Sequence, residues 1–543
     1  MSNPVFFDAF TEIGPRENKP IQLPWKLSEL LAEMEHCSIS GALVSHTQSV
    51  RYDAMRGNLE LSAVLKPHDY LFPIWNVLPH QTGEFPEPRQ LEPLLRQHNV
   101  RAVTIYPKTN AWDWAASHSQ VLLRWLERRR ILTILKRGEF GPYSELDQFL
   151  SKHRQLPVLL VSATWGDQRY LLPLVQKYRN LHITFDWLQI NYGIEDLVAA
   201  GCENQLVYAS TAPGMAIGPH RAYVDYADVP VKIRAKIAGG NLCRLLKGLT
   251  PPRERINGNE DRLMAAARRG VPQPVPVIDM HMHILDEGLN GAGGHFRMSH
   301  GGPAGTFHRL QQLGCVGGGF MSWNGPVSCD SVAGNRCVAD ALDSAPPGYF
   351  GLATFDTKHY SQDELRKLIP ATYQDKRFIG MKPYVTHGIE YFHKSYDVWW
   401  ECGNKLGLYA GIHRNRLDFS EVDVLAKKYP RVRWVPYHCG MRYDVADAAI
   451  ECIKKHKNVY AEITYTSVPG GVLEHLVKHA GADRVVYGSD LPMRDPRQQL
   501  GWVVFSRLTA AQKEQVLWRN ALAVIGPCWQ RLPKYNRPVV PAR

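Results

Sequence analysis

The chain is predicted to be an α/β protein made of two tandem (β/α)8 barrels. Three observations support this prediction: a repeat relating the two halves of the 543 residues, short β-rich runs that alternate with helical stretches, and polar residues at the ends of those runs. Strands that alternate with helices favour a parallel sheet with crossover helices. Each half is long enough for one barrel of about 250 residues.

The repeat is clearest where each half ends. Residues 205–211 read Gln-Leu-Val-Tyr-Ala-Ser-Thr, and residues 484–490 read Arg-Val-Val-Tyr-Gly-Ser-Asp. An asparagine follows the tyrosine by 33 residues in both halves, from 208 to 241 and from 487 to 520. Near the starts, Asp8 matches Asp279 at a shorter offset, which a loop insertion explains. This register predicts one barrel-sized unit present twice.

Prolines mark the junction between the two copies. The segment 250–276 begins Thr-Pro-Pro and ends Val-Pro-Gln-Pro-Val-Pro, with a helix predicted over residues 261–269. We predict a first barrel over residues 1–250, a linker over 251–274, a second barrel over 275–530 and a C-terminal tail over 531–543. The eight strands predicted in the second copy are residues 277–281, 316–322, 350–355, 378–382, 408–413, 433–438, 459–464 and 484–489.

The composition is that of an ordinary globular protein. Hydrophobic residues make up 44% and charged residues 21% of the chain, enough apolar material for full cores. The net charge of +12 comes from Lys and Arg that are scattered and interrupted by acids, which predicts a solvated surface and no nucleic-acid partner. A mildly basic surface favours small anionic substrates.

Three features predict a cytoplasmic location with free thiols. No run approaches the 18 apolar residues that a membrane span needs, so no membrane partner is expected. The N-terminus has neither the basic nor the long apolar region of a signal peptide. The ten cysteines include no Cys-x-x-Cys pair.

Metal-binding residue types stand where the predicted strands of the second copy end. His281 and His283 alternate at the end of the first strand, so both side chains point to one face and can approach one ion. His413, His438 and Asp490 close the fifth, sixth and eighth strands. Because the carboxyl ends of barrel strands form the active-site face, these five residues are candidates for one site.

These motifs resemble those of the amidohydrolase superfamily. They are Asp-x-His-x-His in the first strand, a His closing the fifth, His-Cys-Gly at 438–440 and Gly-Ser-Asp at 488–490. More narrowly, the chain is similar to the branch that contains aminocarboxymuconate semialdehyde decarboxylase, resorcylate-type decarboxylases and lactonases. The resemblance covers about residues 275–527.

The resemblance implies that His281, His283, His413 and Asp490 hold one divalent ion, zinc first and manganese, iron or cobalt as alternatives. It assigns His438 to orienting or deprotonating the water that the ion activates. Asp490 also becomes a candidate proton shuttle. Three neutral imidazoles and one carboxylate leave the ion a net positive charge, which suits this role.

Candidate substrate-binding residues surround these ligands. Lys382 closes the fourth strand, where some binuclear amidohydrolases carry a carboxylated bridging lysine; in the related branch, contact with a substrate anion is the more usual role. Tyr384 follows it. Arg414 and Arg494 stand just beyond predicted ligands and are candidates for binding a carboxylate, with a surface salt bridge as the alternative.

A Gly-rich loop over residues 288–308 carries His295. The loop suits a mobile lid over the substrate, and an exposed glycine loop with incidental histidines is the alternative. His295 is therefore a further candidate for substrate binding.

The first copy lacks the metal ligands. Its residues at the matched positions are Phe10 and Glu12 for the two histidines, Thr104 for Lys382, Leu135 for His413, Thr211 for Asp490 and about Leu160 for the sixth strand. With few N, S or O donors, this copy is predicted to have lost the metal and to pair with the second copy as an intramolecular pseudo-dimer. Glu12 beside Phe10 leaves open a separate pocket without metal.

We predict a metal-dependent hydrolase that attacks an amide or lactone carbonyl of a small, anionic substrate through metal-activated water. A non-oxidative decarboxylase of an aromatic or unsaturated carboxylic acid is the first alternative, because the same ligands serve carbon–carbon cleavage in the related branch. A non-catalytic binding protein is the second, and homo-oligomer formation stays open.

Overall fold

A computed structural model of the chain describes residues 4–16, 22–247, 249, 252–291, 294, 297–384, 388–413 and 417–541. Contacts divide the protein into two compact units, residues 1–189 with 193–260 and residues 190–192 with 261–543. Each unit is a barrel of parallel strands surrounded by helices, which confirms the predicted fold class. No helix in the described ranges is long and apolar enough to cross a membrane.

The first unit contains a parallel sheet whose strands are paired in chain order. The strands are β1 Phe7–Ile13, β2 Gly41–His46, β3 Leu71–Asn76, β4 Ala102–Ile105, β5 Leu132–Lys136, β6 Val158–Val161 and β7 Leu181–Ile183. Residues 206–211 take the eighth place. Val207 N donates to Ile183 O at 3.0 Å, and Ala9 N donates to Tyr208 O at 3.1 Å, so backbone hydrogen bonds close the barrel.

Amphipathic helices surround this sheet and direct their apolar faces to it; α1, for example, buries Leu30 and Met34. The helices are α1 Leu27–His36, α2 Thr47–Arg51, α3 Ala54–Leu65, α4 Pro88–Gln97, α5 Ser119–Arg129, α6 Tyr143–Lys152, α7 Gln168–Lys177, α8 Gly193–Ala199, α9 Ile217–Asp225, α10 Val231–Ala235 and α11 Asn241–Leu245. The barrel interior is apolar, with Ala9, Leu43 and Ile74 fully buried in one cluster.

The second unit is built in the same way. Its strands are β8 Val277–Ile284, β9 Cys315–Ser322, β10 Tyr349–Ala353, β11 Phe378–Met381, β12 Tyr409–Ile412, β13 Arg433–Pro436, β14 Ala461–Glu462 and β15 Val485–Val486. Strands β8 to β13 form one sheet, and β14 pairs with β15. Trp434 N donates to Asn458 O at 2.8 Å and Met280 N donates to Tyr487 O at 3.1 Å, which joins the two sheets into a closed barrel.

The helices of the second unit include the predicted one before its first strand, which begins after Asp261 caps its first turn. They are α12 Arg262–Arg269, α13 Pro303–Leu313, α14 Asn324–Ser328, α15 Ser331–Ser344, α16 Gln362–Thr372, α17 Asp397–Leu406, α18 Ser420–Lys428, α19 Tyr443–Lys455, α20 Val472–Ala480, α21 Pro496–Val504, α22 Ala510–Glu514 and α23 Asn520–Ile525. All eight predicted strands overlap observed ones. Strand β8 runs further than predicted because β9 pairs with it through Ile284.

Equivalent hydrogen bonds explain why Asp8 and Asp279 match in the repeat. Oδ1 of Asp8 accepts from the backbone N–H two residues later at 3.1 Å and from Ser210 N at 3.0 Å. Oδ1 of Asp279 accepts from the N–H two residues later and from Ser489 N, both at 3.1 Å. In each barrel, a buried carboxylate therefore joins the first strand to the eighth.

The matched asparagines also have one structural role. Asn241 Nδ2 donates to Leu206 O at 2.8 Å, and Asn520 Nδ2 donates to Val485 O at 2.7 Å. Each asparagine directly follows a π-helical turn, Lys236–Gly240 in the first unit and Gln515–Arg519 in the second. The constant spacing in the sequence therefore reflects an anchor for the eighth strand.

Replacement of Asp8 by Asn is expected to weaken the pH dependence of stability. Burial raises the pKa of Asp8 to about 7, against the opposing effect of its hydrogen bonds. The folded state then binds a proton more tightly than the unfolded chain, so the free energy of unfolding falls as pH rises from about 4 to 7. Between pH 5 and pH 8, the free energy of unfolding measured with urea should fall by about 1–3 kcal/mol more in the wild type than in Asp8→Asn. Equal losses in both proteins, with exposed Asp69→Asn as control, would contradict this assignment.

Candidate metal centre

Three predicted ligands converge at the carboxyl-terminal end of the second barrel. Asp490 Oδ1 lies 3.4 Å from His281 Nε2 and 3.2 Å from His283 Nε2. All three side chains are buried, and one ligand atom from each lies within 4.8 Å of the others. Strand β8 supplies both histidines, and the turn after β15 supplies the carboxylate. The structure thus brings these three predicted residues together.

The Gly-Ser-Asp motif is explained by close packing at this turn. A Cβ on Gly488 would lie 2.5 Å from Glu462 Oε1 and 2.7 Å from His281 Cβ, so only glycine fits without displacement. Asp490 has a left-handed backbone with φ of 58°, and its N–H donates to His281 O at 2.7 Å. This uncommon conformation, which the neighbouring contacts maintain, directs the carboxylate towards the histidines.

Hydrogen bonds on the far side of both imidazoles define their tautomers. His281 Nδ1 lies 3.3 Å from Glu462 Oε2, and His283 Nδ1 faces Ser322 O at 3.5 Å. Because these oxygens accept, Nδ1 carries the proton and Nε2 keeps its lone pair. Burial, reinforced by the charge of Lys382, lowers the pKa of both imidazoles well below the usual range.

Two neutral imidazole nitrogens therefore point their lone pairs at a carboxylate oxygen. These three acceptor atoms repel one another unless a cation lies between them. Nitrogen and carboxylate donors of this kind suit zinc and the neighbouring transition metals. The donor set of His281, His283 and Asp490 thus fits a divalent ion.

His413 and His438 form a second pair at the edge of this cluster. His438 Nδ1 lies 2.6 Å from Thr464 O, so it carries the proton and Nε2 has the lone pair. That Nε2 lies 3.3 Å from His413 Nδ1, which identifies Nδ1 as the donor and leaves His413 Nε2 as an acceptor. Among the described residues, two groups of three ligand atoms lie within 4.8 Å of one another, His281–His283–Asp490 and His281–His438–Glu462, and His413 belongs to neither. Its role as a fourth ligand stays a prediction.

Glu462, which the sequence analysis did not identify, connects the two histidine groups. In addition to His281, its carboxylate accepts from His438 N at 3.1 Å and from Thr464 N at 2.7 Å. Burial raises the pKa of Glu462 to about 6, although the hydrogen bonds from Thr464 and His438 oppose this shift. An acidic residue inside the seventh β-rich run, Val-Tyr-Ala-Glu-Ile-Thr, was the available sequence signal.

Replacement of Glu462 by Ala is expected to weaken zinc binding by about 10- to 100-fold, because His281 loses the acceptor that fixes its tautomer. The Glu462→Gln variant keeps an amide oxygen for this contact and should retain most of the affinity. Zinc affinity can be measured by competition with a chromogenic chelator, with circular dichroism as a folding control. Wild-type affinity in a folded Glu462→Ala protein would contradict this role.

Arg494 is buried beside the cluster, so the alternative of a surface salt bridge is wrong. It is 3% exposed, forms an ion pair with Asp490, and donates from Nε to Thr466 Oγ1 at 2.7 Å. Burial lowers the pKa of Arg494 to about 10, and nearby Tyr465 partly opposes the shift. The guanidinium therefore holds one carboxylate oxygen of Asp490 while the other faces the histidines.

Lys382 contributes a buried amine to the same region. Its Nζ lies 4.0 Å from the ring centroid of Tyr437 and has no hydrogen-bond partner in the part of the chain that the structure describes. Burial lowers the pKa of Lys382 well below its usual value, although Glu462 opposes the shift.

The ring of Tyr384 lies 5.0 Å from that of His413. The predicted substrate contacts His295 and Arg414 lie outside the described residues.

In the first barrel, Lys136 takes the place of His413, and the predicted match with Leu135 is wrong. Leu135 is buried and pairs with Leu160 between β5 and β6, and Ile412 pairs with Pro436 between β12 and β13, so Leu135 corresponds to Ile412. The next residue along each chain segment, Lys136 or His413, turns to the barrel mouth. A shift of one residue changes which face a strand side chain occupies.

The sixth-strand match also moves, from Leu160 to Ser162. Ser162 and His438 both have left-handed backbones, with φ of 61° and 69°. Asp186 Oδ1 accepts from Ser162 N at 3.2 Å, as Glu462 accepts from His438 N at 3.1 Å. The mouths of the two barrels therefore have the same backbone conformation at this position and carry different side chains.

A parallel barrel with His281, His283 and Asp490 gathered at the ends of its first and last strands is the arrangement expected of a metal-dependent enzyme of the amidohydrolase type. Residues 278–526, slightly less than half of the chain, match the sequence model of the family described as amidohydrolase. The chain is thus an enzyme of a metal-dependent superfamily that includes hydrolases and carboxy-lyases. No curated protein matches the chain.

Several solved structures resemble the chain. A 5-carboxyvanillate decarboxylase from Sphingomonas paucimobilis is 12% identical, with 45% of this chain and 99% of that one covered and a TM-score of 0.37. A manganese-bound dihydroxybenzoic acid decarboxylase from Polaromonas sp. JS666 is 16% identical, with coverages of 46% and 96% and a TM-score of 0.34. An amidohydrolase from Bifidobacterium longum subsp. infantis is 14% identical, with coverages of 46% and 99% and a TM-score of 0.34.

Proposed function

We propose that the second barrel hydrolyses an amide or lactone carbonyl in a small anionic substrate with the help of one divalent ion, zinc first. The observation that supports this most strongly is that His281 Nε2 and His283 Nε2 both lie within 3.4 Å of Asp490 Oδ1. When bound, the ion supplies Lewis-acid activation of water and of the substrate carbonyl. Manganese, iron and cobalt are the alternative ions.

His438 is assigned to proton transfer. Its Nδ1 donates to Thr464 O, so Nε2 is the nitrogen that can accept a proton from the attacking water, in place of the hydrogen bond that it accepts from His413 Nδ1 in this structure. Burial, with the charges of His413 and Arg494, lowers the pKa of His438 well below its usual value and keeps the imidazole neutral. The leaving group would receive this proton from the same nitrogen.

Lys382 and Tyr384 are assigned to the substrate. The buried Lys382 amine has no hydrogen-bond partner among the described residues, and a substrate carboxylate brought beside it would favour its charged form. Arg494 is already engaged with Asp490 and Thr466, so we assign it to positioning Asp490. A bridging, carboxylated Lys382 with two ions is the competing arrangement.

The direction of proton exchange separates hydrolysis from decarboxylation. Lactone hydrolysis at neutral pH releases a proton, whereas decarboxylation with removal of carbon dioxide takes one up. Zinc- and manganese-loaded protein should be tested in a pH-stat on dihydrocoumarin and dihydroxybenzoates. N-acetylated amino acids need an assay of the freed amine, because amide hydrolysis near neutral pH yields a carboxylate and an ammonium and releases no net proton. Acid release from the lactone or free amine from the amides supports the proposal, and proton uptake with carbon dioxide from an aromatic acid favours the decarboxylase. Inactivity of the metal-loaded protein across the panel would count against both and favour a binding protein.

The setting and assembly of the enzyme are also proposals. The ten cysteines are free thiols, which suits a reducing, cytoplasmic location. The pairing of the two barrels as a pseudo-dimer, and any homo-oligomer, stay predictions.

A further inference from the structure

The mouth of the first barrel contains a cavity of about 440 Å³, of the size that small-molecule sites have. Its wall includes Phe10 and Glu12 from β1, Lys136 from β5, Ser162 after β6 and Thr211 after the eighth run. These are the positions that carry the metal cluster and its histidine pair in the second barrel. The first barrel therefore has a cavity at these positions and lines it with different side chains.

Arg16 and Lys136 form a cluster of cations where the second barrel holds its metal ligands. Glu12 forms ion pairs with Arg16 at 2.5 Å and with Lys136 at 3.3 Å. Lys136 Nζ also lies 4.8 Å from the ring centroid of Phe10. Two cations share one carboxylate, so the cluster carries one net positive charge.

This net charge persists at neutral pH. Burial acts to raise the pKa of Glu12, but the charges of Lys136 and Arg16 outweigh it and keep the pKa below its usual value. Glu12 therefore stays ionised. Of the other ionisable side chains on the wall, Arg51 is positive and Glu139 is negative, so the whole cavity also has a net charge of +1.

Two buried donor groups in the cavity wall can each form a further hydrogen bond. Arg16 Nε is buried and makes no hydrogen bond within the described ranges. The Tyr106 hydroxyl is buried beside Lys136, which can only donate to it, so its own hydrogen has no acceptor among the described residues. Each can donate to an anion, and each would stay unsatisfied in a dry pocket, at a cost in free energy. Tyr106 and Trp187 add aromatic surface to the wall.

We propose that the mouth of the first barrel is a metal-free binding site for a small organic monocarboxylate. The carboxylate would lie between Lys136 and Arg16 and accept from Arg16 Nε and the Tyr106 hydroxyl. The apolar part of the ligand would contact Phe10, Tyr106 and Trp187. This site depends on the first barrel alone, so it stands whether or not the second barrel hydrolyses its substrate.

The test uses full-length protein with His283→Ala, which disables the second site, and 4-fluorobenzoate as the probe in a 19F NMR titration. The parent protein should bind the probe, and 4-fluorobenzamide, which lacks the charge, should bind at least tenfold more weakly. Adding Lys136→Met should weaken 4-fluorobenzoate binding at least tenfold, because one charge-assisted hydrogen bond is lost. Lys136→Arg keeps the charge and should stay within about threefold of the parent.

A further variant distinguishes recognition from a purely structural ion pair. Glu12→Gln removes the competing carboxylate and should tighten binding of 4-fluorobenzoate several-fold, an effect that a structural role would not produce. No binding to the parent protein, equal binding by folded Lys136→Met, or weaker binding by folded Glu12→Gln would each overturn the proposal. Circular dichroism establishes that each variant is folded.

Discussion

Replacement of Asp490 by Ala is expected to remove the divalent ion and to lower turnover by more than about 10³-fold. The carboxylate supplies the negative charge of the ligand set and faces Nε2 of both His281 and His283. Without it, two neutral imidazoles remain, and Arg494 is left as a buried cation without its partner. Elemental analysis of the purified protein measures the first effect, and assays on the substrate found by the pH-stat panel measure the second.

The matched control is His359→Ala in the same barrel. The His359 side chain is 64% exposed and pairs with Asp356, so its loss should change neither metal content nor turnover. We expect about one equivalent of metal in the wild type and in this control, and less than a tenth in Asp490→Ala. Two equivalents in the wild type would support Lys382 as a bridging ligand. Full metal content in Asp490→Ala would contradict the proposed centre.

Replacement of Arg221 by Met is expected to destabilise the first barrel by about 3–5 kcal/mol. Arg221 is 1% exposed and lies in α9, all of whose residues are buried. Its Nε donates to Asp225 Oδ2 at 2.9 Å, and its Nη1 donates to the carbonyls of Cys37 and Ser38, both at 2.8 Å. The variant leaves a buried carboxylate without this partner and two carbonyls without this donor. Urea unfolding followed by circular dichroism measures the loss.

Arg96→Met provides the matched control for this prediction. Arg96 pairs with Glu92 at the same helical spacing of four residues, but its side chain is 81% exposed. Water screens such a pair, so its loss should cost less than about 1 kcal/mol. Similar losses in the two variants would show that burial does not determine the strength of the Arg221 pair.

The sequence was sufficient to predict the two barrels and to predict that His281, His283 and Asp490 lie together in the second. The alternation of strands and helices is a local property, and the repeat shows the same pattern twice. Because strand residues two apart share a face, His281 and His283 could be assigned to one site from their spacing. Asp490 could be added because parallel barrel strands end at one face.

Tertiary structure decided which side chains share the site and in what chemical state. Glu462 could not be assigned from the sequence, because its contact with His281 joins residues far apart in the chain and depends on barrel closure. In the first barrel, a register difference of one residue directs Lys136 to the mouth and buries Leu135 in the core. Local sequence encodes strand periodicity, whereas contacts, tautomers and shifted pKa values arise from the three-dimensional packing around each group.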